Sequence, residues 1–214
     1  MTATTGLTIA VPRGALFDET LDLLDRLGIE TRPIRENERR LIFPELGVIT
    51  TRPSDVPTYV EHGAADIGIT GKDVLLEQVD REVYELLDLR YGYCRMIVAA
   101  RDGDDPLGEP LRRRGSVRIA TKYPRIAHDH FARTGRQAEI VEVKGSVELA
   151  PLTGLTDAIV DLTATGTTLR ENHLVEHEQI VECTARLIAN PVSHKLKARE
   201  IDSLVEKMRE AVAQ

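Results

Sequence analysis

Residues 144–174 read KGSVELAPLTGLTDAIVDLTATGTTLRENHL, and the order of residue types in this stretch decides the fold. Ala158-Ile159-Val160-Asp161-Leu162 is a short apolar run suited to a buried strand, and Thr163-Ala164-Thr165-Gly166-Thr167-Thr168 follows where a helix should open. A strand, a Gly/Thr turn and a helix in that order aim backbone N–H groups, hydroxyls and the positive end of a helix at one anion. The stretch therefore predicts a phosphate-binding loop. Asp161 stands too close to that phosphate to serve it, so its expected target is a pair of vicinal sugar hydroxyls. A Gly/Thr loop alone also fits an ordinary strand-to-helix connection with threonine caps.

The flanking residues narrow the reading. Ser146, Glu148 and Gly154-Leu155-Thr156-Asp157 precede the strand, and Leu169-Arg170-Glu171-Asn172-His173-Leu174 follows the loop. With them the run GSVELAP…GL.DAIVDL..TG.TLR.N.L resembles the segment by which the ATP phosphoribosyltransferases of histidine biosynthesis are known. In that family the loop after the aspartate holds the 5′-phosphate and ribose of phosphoribosyl pyrophosphate. The resemblance continues through NERRLIFP and TRPSDVPTYVEHGAADIGITGKDVL and covers the chain from Leu7 to about Asn190.

Composition sets the outer bounds. With 214 residues, 42% apolar and 29% charged, the chain has room for one large domain or two small α/β lobes of ordinary soluble character. Its formal charge of −7 argues against a general nucleic-acid or anionic-membrane role, because an acidic field repels polyanions. No apolar run is long enough to span a bilayer, and Met1-Thr2-Ala3-Thr4-Thr5 lacks the basic and apolar regions of a secretion signal, so a cytoplasmic protein is expected. Cys94 and Cys183 lie in separate apolar segments without C-x-x-C spacing, which predicts reduced thiols and no zinc site.

Along the chain, Leu7–Val11 reads as a buried strand, followed by a helix with Leu16, Phe17, Leu21, Leu24 and Leu27 on one face and Gly28 as its cap. Arg13 beside Gly14 is an anion-friendly pairing after a first strand. Leu46–Thr50 is a strand that delivers Arg52 to its carboxyl end, where open α/β sheets place ligands. Ser54 is expected to cap a helix over Asp55–His62. Asp66–Gly71 is a strand whose two glycines suggest a close approach. Strands are also expected at Val83–Leu89, Val117–Ala120 and Glu139–Val143, with a helix over Pro124–Thr134. Arg101–Gly115 reads as a lobe boundary or a surface loop, and His194–Val212 as an amphipathic helix with Leu196, Ile201, Leu204, Val205, Met208 and Val212 inward. His128 and His130 should face different ways on their helix, and His173 and His177 would align only if helical.

The expected architecture is α/β, with two lobes of mostly parallel sheets around a central cleft. The first lobe comprises residues 1–94 plus 178–214, and the second, residues 95–177, carries the loop. The resemblance implies the same layout, similar to the two-lobed (type II) solute-binding proteins.

The resemblance also implies the chemistry: transfer of the 5-phosphoribosyl group of phosphoribosyl pyrophosphate to N1 of the adenine of ATP, releasing pyrophosphate. It makes Arg52, Arg39 and Arg13 the expected catalytic clamps, because guanidinium binds phosphate oxygens bidentately and stays charged. Asp161, Thr163, Ala164, Thr165, Gly166, Thr167 and Thr168 are the expected phosphoribosyl pyrophosphate set, and Arg13, Gly71, Cys94, Arg95, Lys122 and Glu148 the expected ATP set. The family usually reads Pro-Lys-Gly-Arg-Leu near residue 13; here Arg13 replaces the lysine and Ala15 the arginine, leaving one cation where two are usual. Mg²⁺ is expected to bind mainly through the substrate. After residue 212 nothing remains for the third, histidine-binding domain of the longer family members. The expected partners are therefore those of the short form: a homodimer, and a regulatory subunit resembling histidyl-tRNA synthetase in a hetero-octamer. Two other readings stay open on the residues alone, a small-solute-binding protein and another phosphoribosyltransferase; in the second class two adjacent acids usually precede the loop, whereas here Val160 precedes Asp161.

Overall fold

The computed structural model describes residues 6–213 apart from 38 and 104; residues 1–5, read above for a secretion signal, and Glu38 lie outside the described set. The chain forms two compact units, Met1–Gly92 with Thr184–Gln214, and Tyr93–Cys183. In chain order the strands are β1 (Ile9–Pro12), β2 (Ile42–Phe43), β3 (Val48–Thr51), β4 (Ile67–Gly71), β5 (Tyr84–Asp88), β6 (Cys94–Arg101), β7 (Val117–Thr121), β8 (Ala138–Glu142), β9 (Ala158–Thr163), β10 (Leu174–Cys183) and β11 (Ala185–Ala189).

The first unit is built on a sheet of order β2-β3-β1-β4-β11-β5. β1 lies parallel between β3 and β4, β11 runs antiparallel between β4 and β5, and β2 is antiparallel to β3. Thus β1, β3, β4 and β5 all point one way. The second unit holds the order β10-β6-β9-β7-β8, in which β9, β7 and β8 are parallel and β6 runs against both β9 and β10. Here only β6 points the other way, so both sheets are α/β in character with most strands in one direction. The sequence expectation placed the return crossing at residue 178. It comes instead at Thr184, because β10 pairs with β6 along its whole length, from Leu174 opposite Arg101 to Cys183 opposite Cys94. The apolar run Ile180–Ala189 is accordingly divided between two sheets.

Periodicity explains most of the packing. Leu21 and Leu24 of the helix Phe17–Arg26 are fully buried, and they meet Ile201, Leu204 and Met208 of the helix Ala198–Val212 in one cluster. That second helix begins later than expected. Lys197, at ψ 36°, leaves helical geometry and separates it from the short helix Pro191–Leu196, so Leu196 is 79% exposed rather than inward. Asn190 fixes the short helix by accepting from the Val192 and Ser193 amides, while its own amide donates to the carbonyls of Val60 and Glu61 at the end of the helix Val56–Glu61. Ser54 does not cap that last helix; its hydroxyl donates to Asp55 instead. Arg101–Gly115 is neither boundary nor plain loop, since it contains the helix Gly108–Arg114, closed by Gly115 at φ +77°.

The glycine expectation for β4 has a packing answer at Gly68. A Cβ there would lie 2.5 Å from Val56 Cγ1 and 2.8 Å from Val60 Cγ2, so the helix Val56–Glu61 rests directly on the strand backbone. Gly68→Ala is expected to destabilise the protein by about 1–3 kcal/mol through overpacking. Calorimetry should register this as a lower Tm, by about 2–4 °C per kcal/mol.

Candidate active site

The site in the second unit begins with strand adjacency. β7 and β9 are parallel, with Thr121 opposite Val160, so the next residues, Lys122 and Asp161, emerge side by side at the carboxyl end of the sheet. Lys122 Nζ stands 3.8 Å from Asp161 Oδ2. Asp161 is only 9% exposed, and its Oδ1 accepts from the Leu162 amide at 2.9 Å. Burial raises its pKa above the ordinary carboxylate value; Lys122 and the Leu162 amide oppose the rise, and the nearby Glu148 charge adds to it.

Immediately after β9 the chain turns through Thr163–Gly166 into the five-residue helix Thr167–Glu171. Gly166 holds the turn at φ +71°, a left-handed conformation that side chains resist. Its amide donates to Thr163 Oγ1 at 3.0 Å, and the hydroxyls of Thr165 and Thr167 lie 3.0 Å apart. This loop, Asp161 and Glu148 line a cavity of about 220 Å³. A second cavity of about 590 Å³ adjoins it, walled by Lys122, Gly145, Ser146, Glu148, Leu149, Leu152, Thr168 and Asn172. Glu148 and Thr168 belong to both. The smaller space offers hydroxyl donors and a diol acceptor. The larger combines a cation with two exposed leucines, a lining suited to a flat ring carrying polar substituents.

In the first unit the three arginines named from the sequence come from one end of its sheet. Arg13 follows β1 and Arg52 follows β3, which are parallel neighbours with Pro12 opposite Thr51, and the Arg13 amide donates to the Thr51 carbonyl at 2.7 Å. The Arg13 guanidinium is already organised, donating to Thr50 Oγ1 at 2.9 Å and to the Arg40 carbonyl at 2.8 Å. That second bond draws the turn carrying Arg39 toward Arg13. Arg39 and Arg52 are exposed, and neither side chain has a hydrogen-bond or ion-pair partner among the described residues.

The remaining expected residues are more dispersed. Gly71 ends β4, and a Cβ there would lie 2.0 Å from Asp73 Oδ1. Cys94 opens β6 opposite Cys183 of β10. Arg95 is paired with Glu176 at 2.6 Å. His128 is exposed while His130 is buried, and His173 and His177 do not share a helix, since His173 follows one and His177 lies in β10. Sequence reading missed Arg170, whose guanidinium folds back onto the loop; its spacing from Thr167 on the helix was the available signal. Thr50, which steadies Arg13, carried no signal at all, because only the pairing of β1 with β3 brings it near.

Known proteins resemble this chain over most of its length. A family model described as HisG, ATP phosphoribosyltransferase, matches residues 52–210. An ATP phosphoribosyltransferase of Rubrobacter xylanophilus is 53% identical over 203 residues, 94% of each chain, and one of Desulfitobacterium hafniense is 46% identical over 213 residues, 95% of each. Among solved structures, a chain of the ATP phosphoribosyl transferase (HisG:HisZ) complex from Thermotoga maritima superposes with a TM-score of 0.79 at 34% identity, covering 97% of this chain and 98% of that one.

The buried carboxylate yields a test with a definite sign. Because its folded-state pKa is raised, ionised Asp161 opposes folding. The penalty is absent below the ordinary carboxylate pKa, grows as pH rises through the folded value, and is fully present above it. Asp161→Asn is therefore expected to melt higher than the parent at pH 7.5, with the difference closing on acidification toward pH 3, as thermal melts across that range would show. The same variant should bind phosphoribosyl pyrophosphate more weakly.

Proposed function

The chain belongs to the ATP phosphoribosyltransferase family, and on that premise we propose how its residues divide the reaction. It catalyses the first step of histidine biosynthesis, attaching the 5-phosphoribosyl group of phosphoribosyl pyrophosphate to N1 of the adenine of ATP and releasing pyrophosphate. Adenine N1 already has a free lone pair, so the nucleophile needs no strong base. The barrier lies in the departure of pyrophosphate while the ribose becomes oxocarbenium-like, and preorganised charge lowers it.

In the proposed division Thr163–Thr168 hold the 5′-phosphate and Asp161 accepts from the ribose hydroxyls. The observation that carries this is the single cavity lined by both the Gly/Thr loop and a nearly dry carboxylate. Arg52 and Arg39 clamp the leaving pyrophosphate and the ATP triphosphate, a reading supported by their lack of any competing partner among the described residues. Arg13 joins them through a guanidinium that Thr50 and the Arg40 carbonyl already orient. Lys122 and Glu148 serve ATP, supported by their place in the larger cavity beside Leu149 and Leu152. Gly71, Cys94 and Arg95 complete the ATP set, Arg95 by exchanging Glu176 for a phosphate.

The proposed cofactor is Mg²⁺. Asp161 and Glu148 are the carboxylates facing the loop cavity, and two such groups fit an ion held largely by substrate phosphates and hydroxyls. When bound, it would neutralise charge on the pyrophosphate.

A homodimer and a regulatory partner are proposed as well. The Thermotoga structure is a HisG:HisZ complex, which supports a partner of the same kind; that the partner resembles histidyl-tRNA synthetase and that the assembly is a hetero-octamer are proposed from the family resemblance alone. The cytoplasm is the proposed compartment, supported by the biosynthetic, ATP-using reaction of the family. Among the described residues no helix is long and apolar enough to cross a membrane.

The roles separate in steady-state kinetics with ATP, phosphoribosyl pyrophosphate and Mg²⁺, following pyrophosphate release. Arg52→Ala is expected to lower kcat by about 10²–10³-fold, with the KM for ATP little changed. An increase in KM at unchanged kcat would make Arg52 a binding residue only.

A further inference from the structure

We infer that Arg170 is a positioning residue for the phosphoribosyl group, fixing the direction of a hydroxyl chain so that Thr165 donates to the 5′-phosphate. The inference rests on the assignment of Thr163–Thr168 as the phosphate loop. Arg170 lies on the exposed face of the helix Thr167–Glu171, and its guanidinium folds back onto the loop. Nη1 donates to the Thr165 carbonyl and Nη2 to Thr167 Oγ1, each at 3.0 Å. Nη1 also stands 3.2 Å from where a Cβ on Gly166 would be, so the turn is wrapped around the cation and glycine leaves the space for it.

The cation at its head favours one direction for the hydroxyl chain. Thr167 Oγ1 receives the guanidinium hydrogen and lies 3.0 Å from Thr165 Oγ1. The Thr167 amide also points at Thr165 Oγ1, at 3.4 Å. With a cation donating into Thr167, the Thr167 hydroxyl passes its own hydrogen to Thr165, which already accepts the Thr167 amide. The hydrogen left over is that of Thr165, and Thr165 lines the loop cavity. A charge-assisted donor at the head of such a chain polarises each following bond, so part of the influence of the Arg170 charge reaches the cavity through two hydroxyls. Thr163 supplies a second hydroxyl, which accepts the Gly166 amide and is not backed by a cation.

Calorimetric titration of phosphoribosyl pyrophosphate with Mg²⁺, paired with thermal melts and ATP titration, tests this. Arg170→Ala is expected to raise the Kd for phosphoribosyl pyrophosphate about ten-fold or more, with ATP affinity and Tm essentially unchanged. Arg170→Lys should not restore binding, because one ammonium cannot span both acceptors in a planar fork. The pair Arg170→Ala with Thr165→Val should bind no more weakly than Thr165→Val alone, since both changes cut one chain. Additive losses, restoration by lysine, or a joint fall in Tm and in both affinities would overturn the inference. Gly166→Val separates it from the reading beneath it: if that variant also keeps full affinity, the loop assignment fails, whereas abolished binding in Gly166→Val beside intact binding in Arg170→Ala removes only the role of Arg170.

Discussion

A carboxylate kept almost out of water beside a tight Gly/Thr turn is the constraint on which the second unit depends. Asp161 cannot move away from the loop, because β9 is held between β6 and β7 and its preceding residues Ile159 and Val160 are completely buried. The protein tolerates the desolvated charge by setting Lys122 across from it and the Leu162 amide against it, and these offset the burial only in part. Such residual electrostatic strain is expected where a group is kept for ligand recognition rather than for folding. A ribose diol donating two hydrogen bonds would relieve it.

Ion pairs are frequent in both units. In the second, cations are mostly paired: Lys122 faces Asp161, Arg95 faces Glu176, and Arg136 with His130 holds Glu178. In the first, Arg35 meets Asp22, Arg81 meets Glu61 and Lys197 meets Asp66, whereas the side chains of Arg39 and Arg52 are exposed with no partner among the described residues. Exposed guanidinium groups on an acidic protein suit small polyphosphate substrates and disfavour long polyanions. Arg13 and Arg52 follow parallel strands at their carboxyl ends, the place where backbone geometry leaves room for a ligand.

Much of this was legible in the sequence, and the reason is local. The strand, the Gly/Thr turn and the following helix of residues 158–171 are set by short-range preferences, and Gly166 does adopt the positive φ that a tight turn requires. The heptad-like spacing of Ile201, Leu204 and Met208 likewise foretold their burial. Where the reading failed, the deciding facts were nonlocal or turned on one backbone angle. Leu196 satisfied the apolar pattern but fell on the wrong side of a break at Lys197, and Arg101–Gly115 concealed a helix behind a loop-like composition.

The sequence by itself determined which residue types are available for phosphate and ribose, and it determined the family, because both lie in an ordered run of neighbouring residues. Only the tertiary structure decided that Lys122 stands beside Asp161, that Thr50 steadies Arg13, and that the return crossing comes at Thr184. Each of these follows from which strands pair and in what register. Register is chosen by burial over a whole sheet, so residues 39 or 37 positions apart become neighbours with no trace in the local pattern. The fold of Arg170 back onto its own loop belongs between the two: its spacing was visible, but the left-handed turn that receives the guanidinium was needed to show what it does.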